Sequence, residues 1–104
     1  IKIEVVEVEN LGEVLPEVDV LYVTRIQKER FADPSEYVKV QGFYKIDGQT
    51  VRAMKETAII MHPLPRVDEI SPEVDGTTQA RYFKQVYYGL LTRMTLLSLV
   101  LGAI

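Results

Sequence analysis

Apolar and polar positions alternate at the start of the chain, with Ile1, Ile3 and Val5 set against Lys2 and Glu4. A period of two marks a half-buried strand, so residues 1–8 are read as strand. Asn10 suits a helix N-cap, and a short helix is expected over Leu11 to Val18, its last turn weakened by Pro16. Asp19 to Val23 is a compact apolar strand. Strand, helix and strand with short links make a βαβ unit, which requires parallel pairing. A polar loop over residues 27–37 carries Asp33-Pro34-Ser35 as its turn, and Phe43 to Ile46 reads as a short strand ending at Asp47-Gly48. From Thr50 to Thr57, Val51 and Met54 fall on one side while Arg52, Lys55 and Glu56 fall on the other, a helical pattern that feeds a buried strand over Ala58 to Met61. Residues 63–78 are rich in Pro, Asp and Gly and read as a long loop. Thr78 to Ile104 reads as one long helix, kinked near Gly89 and closing near Gly102. The expected fold class is α/β, a parallel sheet flanked by helices with a long C-terminal helix.

Composition adds limits more than identity. The chain has 104 residues, 47% hydrophobic side chains and a net charge of −3, which suits one ordinary domain. It has no cysteine, so disulfide and thiolate sites are excluded. The slight acidity and lack of a Lys/Arg cluster argue against nucleic acid. No secretory leader is visible, and the apolar run from Met94 to Ile104 is too short to span a bilayer, so a cytoplasmic location without membrane contact is expected. The final helix is apolar on nearly every side, through Leu90, Leu91, Met94, Leu96, Leu97, Leu99, Val100, Leu101 and Ile104. Burial against a partner is expected; left uncovered, the helix should drive association. Opening at Ile1-Lys2-Ile3, the chain reads as a segment of a longer polypeptide.

The densest chemistry lies in His62-Pro63-Leu64-Pro65-Arg66-Val67-Asp68-Glu69-Ile70. A strand that runs into Pro-Leu-Pro continues neither as strand nor as helix, because proline fixes φ and donates no backbone hydrogen bond. Carbonyls in such a stretch lack ladder partners and are open to a ligand's amino group. Two prolines also serve as plain strand-end punctuation, although the charge of Arg66 to Glu69 exceeds what a turn needs. Parallel sheets bind ligands beyond the carboxyl ends of their strands. Val23 leads to the second candidate, where Arg25, Gln27 and Glu29 share one face if the chain stays extended. Arg25 offers a planar fork for a carboxylate, Gln27 a neutral donor and acceptor, and Glu29 a brace for the guanidinium. A solvated charged loop is the plainer reading of that pattern, and His62, the sole histidine, reads more readily as structural than catalytic.

Three blocks together resemble the aspartate transcarbamoylases: the nonapeptide, the run Asp19 to Phe31, and Tyr82-Phe83 with Gln85, Gly89, Arg93-Met94 and Leu96-Leu97. The resemblance covers essentially the whole chain, and its His-Pro-Leu-Pro-Arg run differs from that of the ornithine enzymes. It implies that residues 1–78 are part of an aspartate-binding α/β domain. Residues 79–104 would be the helix that packs back on a carbamoyl-phosphate domain. By resemblance Arg25 and Gln27 bind aspartate, Glu29 orients Arg25, and backbone carbonyls at Pro63 and Leu64 meet the carbamoyl amino group. Pro65 follows a cis bond, and His62 is a supporting residue. Arg30, Tyr37 and Asp68 match residues of domain closure, Tyr37 pairing with Asp68; for Glu36 a plain charged loop is as good a reading.

The implied reaction moves a carbamoyl group from carbamoyl phosphate to the α-amine of L-aspartate in pyrimidine biosynthesis, with no metal or other cofactor. Implied partners are the two substrates, the remainder of a catalytic chain and a homotrimer, with or without regulatory chains. No Ser-Thr-Arg-Thr phosphate loop is present, so the 104 residues alone are expected to be inactive, with no catalytic residue of their own. One departure is local: Gln85-Val86-Tyr87-Tyr88-Gly89 stands where the family carries Gln-Ala-x-Asn-Gly, so packing there must differ. A non-catalytic α/β amino-acid-binding or regulatory module, or a transferase for another acceptor, are the alternatives.

Overall fold

The computed structural model describes residues 1–25, 32–36 and 45–103. Two strands, β1 (Val20–Tyr22) and β2 (Ile59–Met61), pair in parallel with Val20 opposite Ile59, Leu21 opposite Ile60 and Tyr22 opposite Met61. The connection between them contains helix α1 (Gly48–Ala53). On the far edge of β2, Ile60 forms a parallel bridge with Ala80, using Ile60 N–H to Gln79 O at 2.7 Å and Arg81 N–H to Ile60 O at 2.9 Å. Ile60 thus has backbone partners on both sides and no exposed surface. A second bridge joins Ile46 to Ile70.

Around Ile60 pack Leu15, Val23, Ile46, Val51, Met54, Ala58, Ile70, Val74 and Tyr82. Burying each large apolar side chain of this set contributes about 1.5–3 kcal/mol, so this cluster holds the strand ends in place. The α1 turn forms where Asp47 closes a capping box: its carboxylate accepts from Thr50 N–H at 3.1 Å, and its own N–H donates to Thr50 Oγ1 at 3.3 Å. Val51 and Met54 face the core as the helical pattern requires, but the helix starts at Gly48 and ends at Ala53, earlier at both ends than the apolar spacing indicates. Gly48 N–H donates to Glu73 Oε1 at 2.9 Å, tying α1 to a 3-10 helix at Pro72–Gly76. That short helix and the Ile70 bridge give structure to a stretch whose composition reads as loop.

Other expectations are corrected. Residues 1–8 form no strand among the described residues and lie exposed, Ile3 at 82% and Val5 at 81%. Alternation makes one face apolar, but a strand also needs a neighbour for its ladder, and none of the described residues supplies one. Asn10 caps as expected, accepting from Gly12 N–H at 3.0 Å, yet the helix is a single 3-10 turn, Leu11–Glu13. Two further backbone bonds carry the chain as turns to Val18 around Pro16. Asp33 forms its turn by accepting from Ser35 N–H at 2.9 Å, and Glu36 lies exposed on it. Of the expected strand at 43–46, only Lys45 and Ile46 are among the described residues.

The last helix, α2 (Tyr82–Val100), begins four residues after Thr78 and runs through Gly89 without a break. It ends at Val100, short of Ile104, with Leu101 as its cap and Gly102 just beyond it, at a φ of 69° that suits glycine. Gly102 N–H donates to Leu99 O at 3.2 Å and Ala103 N–H to Ser98 O at 2.8 Å, which satisfies two of the last carbonyls. Beyond Tyr82 the helix is uncovered: Phe83, Val86, Tyr87, Leu90, Met94, Leu97 and Val100 are all exposed. Thr92, Thr95 and Ser98 turn their hydroxyls back onto the carbonyls of Tyr88, Leu91 and Met94, leaving the helix surface still more apolar. No described helix is long and apolar enough to cross a membrane.

Candidate functional site

Parallel pairing sends the carboxyl ends of β1 and β2 to the same edge of the sheet. Val23 N–H still reaches Met61 O at 2.9 Å, and beyond that bond the two chains separate, one into Thr24-Arg25 and the other into His62-Pro63-Leu64-Pro65. Beside the divergence lies a cleft of about 310 Å³ lined by Leu21, Val23, Thr24, Arg25, Ile46 and Glu69. Arg25 is half-buried in this wall. Gln27, Glu29, Arg30 and Tyr37 lie outside the described residues. The structure therefore brings together Arg25 and the nonapeptide. Asp68 lies exposed on its loop, and the expected Tyr37 contact falls outside the described residues.

His62 is the pivot of the second strand end. It has no exposed surface, and three groups fix it. Its backbone N–H donates to Gln85 Oε1 at 3.0 Å, and Gln85 Nε2 donates in turn to the Tyr22 hydroxyl at 3.2 Å, so α2 clips both strand ends at once. Its Nδ1 accepts the Leu64 N–H at 2.8 Å, and its Nε2 faces Glu69 Oε1 at 2.6 Å. A ring nitrogen that accepts an N–H carries no proton, so the ring is neutral with its proton on Nε2. Glu69, 5% exposed, also takes the Val67 N–H on Oε2 at 3.1 Å. Burial raises the Glu69 carboxyl most strongly, but its own backbone N–H, that of Val67 and the His62 ring together outweigh it and hold the carboxyl below the usual range.

Leu64 adopts φ 49°, the left-handed region, and the Leu64-Pro65 bond is cis, as the resemblance implies. Pro63 and Pro65 are exposed and Leu64 half-buried. Among the described residues no hydrogen bond ends on the carbonyls of Pro63, Leu64 or Pro65, so these oxygens keep their accepting capacity. Nothing in the bare sequence pattern assigns a left-handed backbone to Leu64; the flanking prolines mark only an irregular stretch.

A second polar cluster escaped the sequence reading. Arg66 forks onto Asp75, through Nη1 on Oδ1 and through Nη2 on Oδ2 at 2.7 Å. The Tyr82 hydroxyl donates to the same Asp75 Oδ1, and the guanidinium lies over the Tyr82 ring, 5.6 Å from its centroid. Arg66 holds the Asp75 carboxyl below its usual range and is itself raised by the pairing. Burial first, then the negative Asp75, push the Tyr82 phenol up to about 12. The cluster locks the middle of the nonapeptide to the start of α2. Arg66 and Tyr82 stand in quoted motifs, but no spacing rule points to Asp75. Among the described residues no group of His, Asp and Glu is arranged to hold a metal ion.

The geometry has counterparts in known proteins. The family model for the Asp/Orn binding domain of aspartate/ornithine carbamoyltransferase matches residues 2–100. The aspartate carbamoyltransferase catalytic subunit of Methanothermobacter thermautotrophicus is 60% identical over 100 residues, which make up 96% of this chain and 31% of the relative. The chain therefore spans about a third of the length of the curated relatives it matches. Among solved structures, the catalytic subunit of M. jannaschii aspartate transcarbamoylase superposes with a TM-score of 0.79 at 53% identity, covering 92% of this chain and 31% of that one. The Trypanosoma cruzi aspartate transcarbamoylase in complex with carbamoyl phosphate and aspartate superposes with a TM-score of 0.74 at 44% identity, covering 83% and 28%. With an α/β core, a Pro-Leu-Pro strand end and a family match over almost its entire length, the chain belongs to the aspartate/ornithine carbamoyltransferases, as their Asp/Orn binding domain.

Proposed function

We propose that this chain supplies the acceptor side of an aspartate carbamoyltransferase, which joins the carbamoyl group of carbamoyl phosphate to L-aspartate for pyrimidine synthesis. The observation that carries the reading is that Arg25 and the Pro-Leu-Pro stretch follow the carboxyl ends of two adjacent parallel strands, with Arg25 and Glu69 lining one cleft between them. A guanidinium pairs with a carboxylate in a two-pronged, planar fashion, and it suits the side-chain carboxylate of aspartate better than the ammonium of ornithine. Gln27 completes that clamp, with Glu29 steadying Arg25. The carbonyls of Pro63 and Leu64 accept from the carbamoyl NH₂ and turn its carbon toward the amine.

In the reaction the α-amine nitrogen of aspartate bonds to the carbamoyl carbon, and the carbon–oxygen bond to phosphate breaks. The amine proton leaves with the phosphate group, giving N-carbamoyl-L-aspartate and inorganic phosphate. The residues of this chain act by placing the two reactants in contact, a contribution that reaches several kcal/mol when geometry is tight. Groups for the phosphate and for the developing oxyanion lie outside this segment. We assign α2 the role of docking on the rest of the catalytic chain, within a cytoplasmic homotrimer. Arg30 and the Tyr37–Asp68 pair act in domain closure.

The test joins this chain to the portion of the M. jannaschii catalytic subunit that it does not match. Carbamoyl transfer to aspartate is expected in the joined protein and not in the 104 residues alone. Arg25→Ala should raise KM for aspartate by about 10²-fold, the loss of a charge-paired hydrogen-bonded contact, with little change for carbamoyl phosphate. An inactive joined protein, or one that prefers ornithine, would sink the reading.

A further inference from the structure

We infer that Glu69 is a positioning residue for the Pro63 and Leu64 carbonyls, acting through the neutral, Nε2-protonated ring of His62. The inference rests on the reading that these carbonyls receive the carbamoyl group, and it assigns the device that aims them. Leu64 sits at φ 49°, a conformation that a non-glycine residue keeps only where its surroundings hold it. The hold is visible: the Leu64 N–H donates to His62 Nδ1 at 2.8 Å. That bond exists only while Nδ1 is unprotonated. Glu69 Oε1, 2.6 Å from Nε2, keeps the ring proton on the opposite nitrogen. Its other oxygen takes the Val67 N–H, so one carboxylate fixes both the ring and the return of the loop.

Removing the carboxylate leaves a buried Nε2–H with no acceptor. The Leu64 bond alone then favours the proton on Nε2, against the cost of a stranded buried N–H, and a shift to Nδ1 sets an N–H against the Leu64 N–H. Leu64 is expelled from its conformation, and the adjacent carbonyls change direction with it. Glu69 thus governs a peptide five residues away without touching it. Neither the ring nor the carboxylate needs to contact a substrate, consistent with the full burial of His62.

The experiment uses the same joined protein and steady-state kinetics with each substrate varied. Glu69→Ala should lower kcat/KM for carbamoyl phosphate by about 10²-fold, the usual scale for a misplacement of roughly 1 Å. KM for aspartate should change far less. Glu69→Gln, whose amide oxygen still accepts from Nε2–H, should recover most of the loss. In a His62→Asn background, where an amide oxygen replaces Nδ1 as acceptor for Leu64, adding Glu69→Ala should cost little more. That non-additivity separates action through the ring from simple loss of stability, which would lower the activity in both backgrounds. Equal losses in the two backgrounds overturn the inference. Leu64→Gly frees the backbone and tests the underlying reading alone. If it impairs carbamoyl phosphate use while Glu69→Ala does not, the relay fails and the site stands. If neither variant affects carbamoyl phosphate, both fall.

Discussion

Substitution of Asp75 by alanine probes the lock between the nonapeptide and α2. Asp75 accepts two bonds from Arg66 and one from Tyr82, with the Arg66 and Asp75 side chains 20% and 30% exposed and Tyr82 fully buried. The ionic part is open to water on one side, so its loss is discounted to about 1 kcal/mol. The Tyr82 hydroxyl is different, because it stays buried and has no acceptor left; Arg66 Nη1, at 3.4 Å, is a donor. Stranding such a group costs about 1–3 kcal/mol, so the substitution should destabilise the fold by roughly 3 kcal/mol. Tyr82→Phe removes the hydroxyl together with its need for a partner and should cost only about 1 kcal/mol. Urea unfolding followed by circular dichroism reads both. With a slope of about 1.5 kcal/mol/M, Asp75→Ala should shift the midpoint down by roughly 2 M at unchanged slope. The double variant should be less destabilised than the sum of the singles, because with the hydroxyl gone the loss of Asp75 strands nothing on the ring. Strict additivity, or a loss below about 1 kcal/mol for Asp75→Ala, would refute the assignment.

Three other outcomes follow from the same contacts. The folded carboxyls of Glu69 and Asp75 lie below their ordinary values, so their contribution is complete above about pH 4–5 and is lost as pH falls through the folded values. Tyr82 runs the other way: raised to about 12, it contributes fully below about pH 10 and loses that contribution as pH rises toward 12. Thermal unfolding against pH should therefore show a plateau with an acid and an alkaline limb, and constant stability down to about pH 2 would contradict the carboxylate geometry. Asp47→Ala should cost about 1 kcal/mol by opening the capping box of α1, and a loss near zero in urea unfolding would show that the box carries no weight. The uncovered α2 should make the 104 residues self-associate; Leu90→Glu, Met94→Glu and Leu97→Glu together should restore monomer in sedimentation velocity without lowering stability, and an unaltered profile would clear the helix of blame.

What the sequence made legible was what depends on near neighbours. The apolar runs at 19–23 and 58–61 marked the two strands, Asn10 and Asp33 marked their local caps, and Gly102 marked the end of α2. Residues 1–8 failed for the opposite reason: their pattern is right, and the decision rests with a pairing partner elsewhere. The same limit appears in the site. Arg25 and the Pro-Leu-Pro end could be put forward as candidates because parallel sheets bind ligands beyond their strand ends, and the structure places both there. The fork between Arg66 and Asp75 spans nine residues of irregular chain, and the clip from Gln85 to His62 spans 23. No period or spacing encodes such contacts.

Gln85 makes the last helix part of the site. Its amide accepts from the backbone of His62 and donates to Tyr22, one residue before Val23, so α2 restrains both strand ends through one side chain. Tyr82, one turn earlier, anchors the middle of the nonapeptide through Asp75 and Arg66. The stretch from His62 to Pro65, with its open carbonyls, is therefore held at its start by Gln85 and His62's own ring, and just beyond its end by Arg66. The outward side of this helix is the apolar surface left exposed, and its inward side holds the strand ends. A single rigid helix cannot shift on one side without shifting on the other, so the position of the strand ends is set jointly by the core beneath α2 and by whatever covers it.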